Sequence, residues 1–145
     1  MKALIVDDER LARKELSSLL DDIKNVTVVG EAINTDDAVQ KIQALKPDLL
    51  FLDIQMPGKS GFDLLEMLDS VPEVIFTTAY DEYALQAFEV NALDYLLKPV
   101  QKERLQESIS KLLVKLASQS DDNPAKSAQL GVSDQVFVKD GDRCW

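Results

Sequence analysis

Histidine is absent from the 145-residue sequence, and cysteine occurs once, at Cys144. Without histidine the chain cannot contain a Ser-His-Asp triad, a Cys-His pair or a His-Glu-x-x-His zinc site. A single cysteine cannot form an intrachain disulfide or a multi-cysteine metal site. The chemistry open to this chain is therefore that of carboxylates, hydroxyls, amides and amines.

Long hydrophobic runs are also missing, and glycine and proline number only five each. The longest strongly apolar stretches, around 3–6 and 49–52, span four residues, which is too few for a membrane span or a secretory signal peptide. The scarcity of glycine and proline excludes collagen-like and low-complexity sequence. These absences predict a cytoplasmic protein that does not bind membranes.

Basic residues are outnumbered, since 16 Lys and Arg stand against 26 Asp and Glu and give a net charge of −10. This surplus of negative charge disfavours nucleic acid and anionic membranes as direct partners of this chain. Apolar residues, by contrast, make up 46% of the sequence, enough for a packed core. The length predicts about one domain.

Short apolar runs alternate five times with segments of helical periodicity. The predicted strands cover 2–6, 26–30, 48–54, 74–78 and 93–97, and the predicted helices cover 10–20, 62–68, 81–90 and 102–116, with a further helix that Thr35 caps and Pro47 ends. Repeated βα units with short connections favour an α/β fold, a doubly wound five-stranded parallel sheet covered by helices.

Apolar spacing also predicts which helix faces are buried. For three of the helices, the expected inward residues are Leu11, Leu16, Leu19 and Leu20; Ala84, Ala87 and Phe88; and Leu105, Ile109, Leu112 and Leu116.

The C-terminal part of the sequence changes in character after residue 117. Residues 118–131 are polar and predict a flexible linker. Within 132–145, strand character resumes at Val136 around the Asp140-Gly141 pair, which is a hairpin signal. Because a lone hairpin is not stable in water, either the chain is cut inside a second domain or this segment is a natural tail.

Polar residues stand at the ends of four of the predicted strands. They are Asp7, Asp8 and Glu9 at the end of the first strand, Asp53 at the end of the third, Thr77 and Thr78 at the end of the fourth, and Lys98 and Pro99 at the end of the fifth. Ligands of open parallel sheets bind at this carboxyl edge. Each residue alone has an ordinary explanation, such as a favourable helix N-terminus or a solvated lysine, but together they predict a site. The end of the second strand, Glu31-Ala32, carries no such signal.

The chemistry of this cluster favours a divalent cation. Two carboxylates about 4 Å apart repel by about 4 kcal/mol at an effective dielectric constant of about 20. Oxygen ligands select magnesium or calcium, and magnesium, which uses few carboxylates plus a phosphate, suits this edge. A carboxylate beside such a metal can attack phosphorus to give an acyl phosphate. Lys98 would then offset charge on the phosphoryl oxygens, and the Thr78 hydroxyl would bond one of them.

The order and spacing of four motifs resemble the receiver domain of two-component response regulators over about residues 1 to 117. The motifs are Val6-Asp7-Asp8-Glu9, Asp53-Ile54-Gln55-Met56-Pro57-Gly58 with Gly61, Thr78-Ala79 and Lys98-Pro99. The resemblance implies the flavodoxin-like strand order 2-1-3-4-5. It also implies a phosphorylation-switched regulator, not an enzyme in the usual sense, which catalyses only its own phosphoryl uptake and loss.

The same resemblance implies a role for individual residues. Asp53 would accept a phosphoryl group from a sensor histidine kinase, and magnesium would be bound by Asp7, Asp8, Asp53 and the backbone carbonyl of Gln55. Thr78 and Lys98 would contact the phosphoryl group. Tyr95 would act with Thr78 as the switch, and the Lys98-Pro99 peptide bond would be cis.

Residues 136–143 resemble the start of a LytTR-type DNA-binding domain, and the runs 80–84 and 91–96 resemble receivers of that subgroup. The resemblance implies a transcription regulator whose DNA-binding domain is missing here, so no DNA-binding residue is assigned in this chain. We further predict a phosphorylation-favoured homodimer through the fourth helix, fifth strand and fifth helix. The charges that suit it are Asp81, Glu82 and Glu89 on one side and Lys102, Arg104 and Lys111 on the other.

Other functions fit the sequence less well. An aspartate-based phosphatase typically carries a second aspartate two residues after its nucleophile, where this chain has Gln55. A nucleotide or flavin binder needs a Gly-rich phosphate loop after the first strand, where Asp7-Asp8-Glu9 stands instead. A stand-alone receiver that acts through protein contacts only remains the alternative.

Overall fold

The computed structural model describes residues Met1 to Asp121, with side chains as far as Ser118. The predictions for 122–145, which include the hairpin, lie outside the described residues. The elements are β1 (Lys2–Val6), α1 (Arg10–Asp21), β2 (Thr27–Ala32), α2 (Thr35–Leu45), β3 (Leu49–Leu52), α3 (Gly61–Glu66), β4 (Glu73–Thr78), α4 (Ala84–Glu89), β5 (Asp94–Leu97) and α5 (Lys102–Asp121).

The five strands form one parallel sheet in the order β2-β1-β3-β4-β5. This order confirms the doubly wound α/β prediction. The central strand β3 is an uninterrupted apolar run, and all four of its side chains are fully buried. Because successive strand side chains point to opposite faces, both faces of the sheet are covered at β3.

The first unit of the chain carries the sheet. Met1–Ser108 form one compact unit, and a second unit begins at Ile109 within α5. Among residues 1–121, no helix combines the length and apolar character that a bilayer crossing requires.

Helix boundaries differ from the prediction where a polar side chain caps the helix. The cap of α2 is Asn34 and not Thr35, because the Asn34 side chain accepts a hydrogen bond from the Asp37 amide at 2.8 Å. The helix ends before Pro47, as predicted, with Lys46 at a positive φ of 49°.

The predicted inward face of the fourth helix is largely wrong. Ala87 is buried, but Ala84 is exposed and Phe88 is 78% exposed. Helix α4 begins three residues later than the predicted start at 81, and Tyr83 packs against the core from the position before the helix. Tyr83 and Ala87, four residues apart, therefore form the inward stripe, and this rotates Phe88 to the surface.

Two other helices also depart from the predicted pattern. In α1, Leu16 and Leu20 are buried as expected, whereas Leu11 is 73% exposed. Leu11 belongs to the first turn of α1, where it lines an open groove with Leu16, Pro99 and Val100 and is not covered by the core. Helix α5 continues to Asp121, four residues into the predicted linker, and its Leu116 is exposed, unlike Leu105, Ile109 and Leu112.

Candidate functional site

Two aspartates extend neighbouring strands at the carboxyl edge of the sheet. The Asp7 amide donates to the Ala32 carbonyl of β2 at 3.0 Å, and the Asp53 amide donates to the Val6 carbonyl of β1 at 2.9 Å. These hydrogen bonds continue the parallel ladder one residue beyond β1 and β3. As a result both carboxylates are buried, with Asp7 2% and Asp53 6% exposed.

Asp8 completes an acidic cluster with these two residues. One carboxylate oxygen from each of Asp7, Asp8 and Asp53 lies within 4.8 Å of the others. Asp8 is exposed, so the cluster opens to solvent on its side. Three hard oxygens that converge on one point, two of them buried, fit a divalent cation of the magnesium or calcium type.

Lys98, which follows β5, supplies a positively charged side chain to the acidic cluster. Its Nζ lies 2.7 Å from Asp7 Oδ2, 3.4 Å from Asp53 Oδ2 and 3.5 Å from Glu9 Oε1. The Lys98-Pro99 peptide bond is cis. One lysine therefore faces three carboxylates, and the site keeps a surplus of negative charge.

The electrostatic consequence is largest at Asp53. Burial, reinforced by the nearby Asp7 carboxylate, raises the pKa of Asp53 from 3.8 to about 6, although Lys98 acts in the opposite direction. For Lys98, burial lowers the pKa, but its hydrogen bond to Asp7 and the attraction of Asp53 outweigh burial and raise it overall. Lys98 therefore stays protonated. Because its single positive charge is shared with Asp7 and Glu9, it does not fully balance the negative charge of Asp53.

Thr78 and Tyr95 meet at the backbone of Tyr80. Thr78 is fully buried at the end of β4, and its hydroxyl accepts a hydrogen bond from the Tyr80 amide at 3.3 Å. The Tyr95 hydroxyl, on β5, donates to the Tyr80 carbonyl. Burial is the main cause of a raised pKa at Tyr95. The loop after β4 is thus held by one side chain from each of the last two strands.

Gly61 is required by the close approach of α3 to Asp53. Its amide donates to the Ile54 carbonyl at 2.8 Å, and a Cβ at this position would lie 2.4 Å from the Asp53 carbonyl oxygen. The backbone from the Asp53 carbonyl to the Ile54 carbonyl therefore packs directly against a glycine in the first turn of α3. Ser60 caps that turn in a reciprocal capping box with Asp63.

Arg13 is a residue of this site that the sequence reasoning missed. From α1 its Nη1 donates to the Asp7 carbonyl at 2.8 Å, and its Nε lies 3.0 Å from Glu31 Oε1. Glu31, from which we expected nothing, thus pairs with the guanidinium. Helical side chains point toward the helix N-terminus, so an arginine one turn into α1 could have been expected to reach back to the strand ends.

The predicted site residues thus fall into three groups. The acidic cluster and Lys98 are in mutual contact. Thr78 and Tyr95 are joined through the backbone of Tyr80. Gln55 belongs to neither group, and its side-chain Nε2 donates to the Tyr83 hydroxyl at 2.7 Å.

This arrangement defines a class of protein: a doubly wound α/β domain with an acidic, lysine-paired site at the switch between β1 and β3. Residues 3–110 match the family model of the response regulator receiver domain. The chain belongs to the response regulator receiver domain family.

Named relatives agree with this family. The chain is 56% identical over 115 residues to an uncharacterized response regulatory protein of Vibrio cholerae, covering 78% of this chain and 48% of the relative. It is 48% identical over 114 residues to the sensory transduction protein LytT of Bacillus anthracis, covering 77% and 46%. The chain therefore spans about half the length of these curated relatives.

Similarity to another relative extends further along the chain. Identity to LytT of Enterococcus faecalis is 43% over 148 aligned positions, covering all of this chain and 60% of the relative. Among solved structures, the response regulatory domain of mrkE from Klebsiella pneumoniae aligns with a TM-score of 0.73 at 36% identity, covering 81% of this chain and 99% of that one.

Proposed function

We propose that Asp53 is the phosphoacceptor of this receiver domain and takes its phosphoryl group from a sensor histidine kinase. A carboxylate oxygen of Asp53 attacks phosphorus, the bond from phosphorus to the donor imidazole nitrogen breaks, and the imidazole leaves. The observation that carries this proposal is the near-complete burial of Asp53 beside Asp7, Asp8 and Lys98. A buried carboxylate with a pKa of about 6 is still largely ionised at neutral pH, as a nucleophile must be.

Magnesium is the cofactor that the donor set fits. Asp7, Asp8, Asp53 and the backbone carbonyl of Gln55 would hold it, and the excess negative charge of the cluster supports a divalent cation there. When bound, magnesium offsets charge on the phosphoryl oxygens and on the attacking carboxylate. Arg13 stabilises the site, because its hydrogen bond to the Asp7 carbonyl fixes the Asp7 backbone.

Lys98 and Thr78 are the proposed phosphoryl contacts. The Lys98 ammonium already lies 3.4 Å from Asp53 Oδ2, so it can pair with a phosphoryl oxygen attached to that carboxyl group. The Thr78 hydroxyl currently accepts a hydrogen bond from the Tyr80 amide. If Thr78 moves toward a phosphoryl oxygen, the Tyr80 loop loses that hydrogen bond and the Tyr95 side chain that binds the same loop is released to move.

An apolar groove beside the site offers a surface for the kinase. It has a volume of about 530 Å³, and Leu11, Leu16, Pro99 and Val100 line it together with Asp7 and Lys98. Leu11 is 73% exposed in this groove. A partner helix that packs here would be placed next to Asp53, which is the geometry that phosphoryl transfer between two proteins needs.

The output is proposed to be transcription control through a LytTR-type DNA-binding domain on the C-terminal side of the receiver domain. Relatives that support this are LytT and the transcriptional regulatory protein BtsR of Salmonella typhi, which is 48% identical over 114 residues. The alignment with the Enterococcus faecalis protein includes residues 132–145. The alternative is a stand-alone receiver that acts through protein contacts only. In that case phosphorylation of the protein would change the activity of no promoter.

Intact-mass analysis tests the phosphoacceptor. After incubation with acetyl phosphate and magnesium, the chain is expected to gain one phosphoryl group, and Asp53→Asn is expected to abolish the gain. Asp69→Asn, at an exposed position between α3 and β4, is the matched control and should be modified like the parent. Equal modification of Asp53→Asn and the parent would refute the assignment.

A further inference from the structure

A hydrogen bond joins the loop after Asp53 to the start of α4. Gln55 Nε2 donates to the Tyr83 hydroxyl at 2.7 Å, across 28 positions of sequence. Gln55 belongs to the β3–α3 loop, and Tyr83 is the residue immediately before α4. Neither the acidic cluster nor the Thr78–Tyr95 pair uses this contact.

The Tyr83 ring is fixed by packing, whereas Gln55 is exposed. The ring centroid of Tyr83 lies 6.3 Å from that of Phe62 and 6.4 Å, edge-on, from that of Tyr80. Phe62 in turn packs on Phe76 in the core at 4.9 Å. The Tyr83 hydroxyl is therefore held in place by the core and can restrain the exposed Gln55 side chain, which would otherwise sample several rotamers.

The loop is held at two consecutive residues. The Ile54 carbonyl accepts from the Gly61 amide at 2.8 Å, and the Gln55 side chain is held by Tyr83. The Gln55 carbonyl accepts no hydrogen bond within residues 1–121, so its lone pairs are available to a ligand. This carbonyl is the backbone donor of the proposed magnesium site, two residues beyond Asp53.

We propose that Tyr83 is a positioning residue for the cation site. Its hydroxyl holds Gln55 so that the β3–α3 loop presents the Gln55 carbonyl toward Asp7, Asp8 and Asp53, and it thereby couples cation binding to the start of α4. This inference rests on the proposed function, because it takes the acidic cluster to be a magnesium site. Coupling is reciprocal, so magnesium that favours this loop conformation also strengthens the contact that holds Tyr83.

Magnesium titration of the whole chain by calorimetry tests the role. Tyr83→Phe keeps the ring and removes the hydroxyl, and the loss of one neutral hydrogen bond is expected to raise the magnesium Kd about two- to tenfold. Tyr80→Phe is the matched control. It removes the hydroxyl of a neighbouring tyrosine, whose ring packs edge-on against Tyr83, and leaves the Tyr83–Gln55 hydrogen bond in place. Its magnesium Kd is expected to equal that of the parent.

Two further measurements separate positioning from a general effect on the fold. Gln55→Ala should raise the Kd as Tyr83→Phe does, and the double variant should be no weaker than either single variant, because both remove one interaction. Magnesium should slow amide exchange in residues 84–89 of the parent and leave it unchanged in Tyr83→Phe. A merely structural role for Tyr83 would alter exchange equally with and without magnesium.

The outcomes distinguish this inference from the proposed function. If the parent binds no magnesium, the cation site itself is wrong. If the parent binds magnesium and both Tyr83→Phe and Gln55→Ala bind it equally well, the site stands and the positioning role is refuted. If Tyr83→Phe lowers the melting temperature without magnesium, the magnesium Kd of Gln55→Ala decides, because Gln55 is exposed and its substitution leaves the core intact. A raised Kd in Gln55→Ala supports the positioning role, and an unchanged Kd refutes it.

Discussion

Individual carboxylates at this sheet edge differ in what their surroundings do to them. Asp53 has a raised pKa and is one of the most buried carboxylates, because it follows an apolar strand and faces Asp7. Sequence alone could place Asp53 at a costly position, since it follows four apolar residues. It could not show that Lys98 lies closer to Asp7 than to Asp53, because that depends on how the loop after β5 turns.

The raised pKa of Asp53 predicts a pH-dependent stability. A carboxyl group whose pKa rises from 3.8 to about 6 on folding binds its proton more tightly in the folded state, so its contribution to stability falls as pH rises from about 4 to 7. In magnesium-free buffer, Asp53→Asn should gain about 2 to 3 kcal/mol over the parent across that range. Urea unfolding at several pH values measures this difference. A difference that stays constant with pH would contradict the raised pKa.

Magnesium should stabilise the folded chain through the same carboxylates. Binding to the folded state alone contributes about 1.4 kcal/mol at ten times Kd, seen as a rise in melting temperature. Asp8→Ala should remove most of this rise, because Asp8 supplies an oxygen to the cluster. Asp36→Ala, in the exposed first turn of α2, is the control. A full magnesium response in Asp8→Ala would exclude Asp8 as a ligand.

At the scale of secondary structure elements, the site depends on how two helices begin. Helix α1 sends Arg13 back to the carbonyl of Asp7, and α3 starts with a glycine against the carbonyl of Asp53. Element order was predictable because β1, β3 and β4 contain distinct apolar runs, although β2 ends two residues later and β3 two residues earlier than predicted. The inward face of α4 was not predictable from the sequence. Tyr83 packs on the core, and this tertiary contact sets the rotation of the short helix.

Arg13 should matter more for stability than its place on a surface helix suggests. Arg13→Met leaves the Asp7 carbonyl without its donor and Glu31 without its partner, and we expect a loss of about 1 to 3 kcal/mol in unfolding free energy. Arg10→Met, at an exposed position of the same helix, should change it by less than about 0.5 kcal/mol. Equal effects of the two substitutions in urea unfolding would show that Arg13 is an ordinary surface residue.

Gly61→Ala tests the close approach of α3 to β3. Its Cβ would lie 2.4 Å from the Asp53 carbonyl oxygen, so the backbone around Asp53 must shift, and both stability and phosphorylation by acetyl phosphate should fall. At Gly30 the nearest atom to an added Cβ is a Leu45 methyl carbon at 3.0 Å, which can move. Gly30→Ala is therefore the control, and it should be phosphorylated at the rate of the parent. A Gly61→Ala chain phosphorylated at that rate would contradict the account.

At the scale of the whole molecule, the proposed dimer requires a surface that is free to bind a second copy of the chain. The predicted dimer was argued from charge, but Arg104 pairs within the chain with Asp94 at 3.2 Å and Glu107 at 2.8 Å. Apolar exposure is the better support for an interface here, since Leu85 is 72% and Phe88 is 78% exposed on α4. The outward position of Phe88, which the sequence pattern missed, adds to Leu85 and provides a hydrophobic surface beside β5.

We therefore retain the proposed homodimer through α4, β5 and the start of α5, and expect phosphorylation to favour it. Sedimentation of the phosphorylated chain should show a dimer that Phe88→Ser weakens at least tenfold. Leu11→Ser, which removes an equally exposed apolar side chain from α1, should leave it unchanged. A monomer at all concentrations, or a dimer indifferent to Phe88→Ser, would refute this interface.

The claim on which the rest depends is that the phosphoryl group is attached to Asp53. Borohydride reduces an aspartyl phosphate to homoserine, so peptide mapping of the phosphorylated and reduced chain locates the acceptor directly. The account predicts homoserine at position 53 only, formed when magnesium is present. Homoserine at Asp7 or Asp8, or at an aspartate outside the acidic cluster, would contradict it.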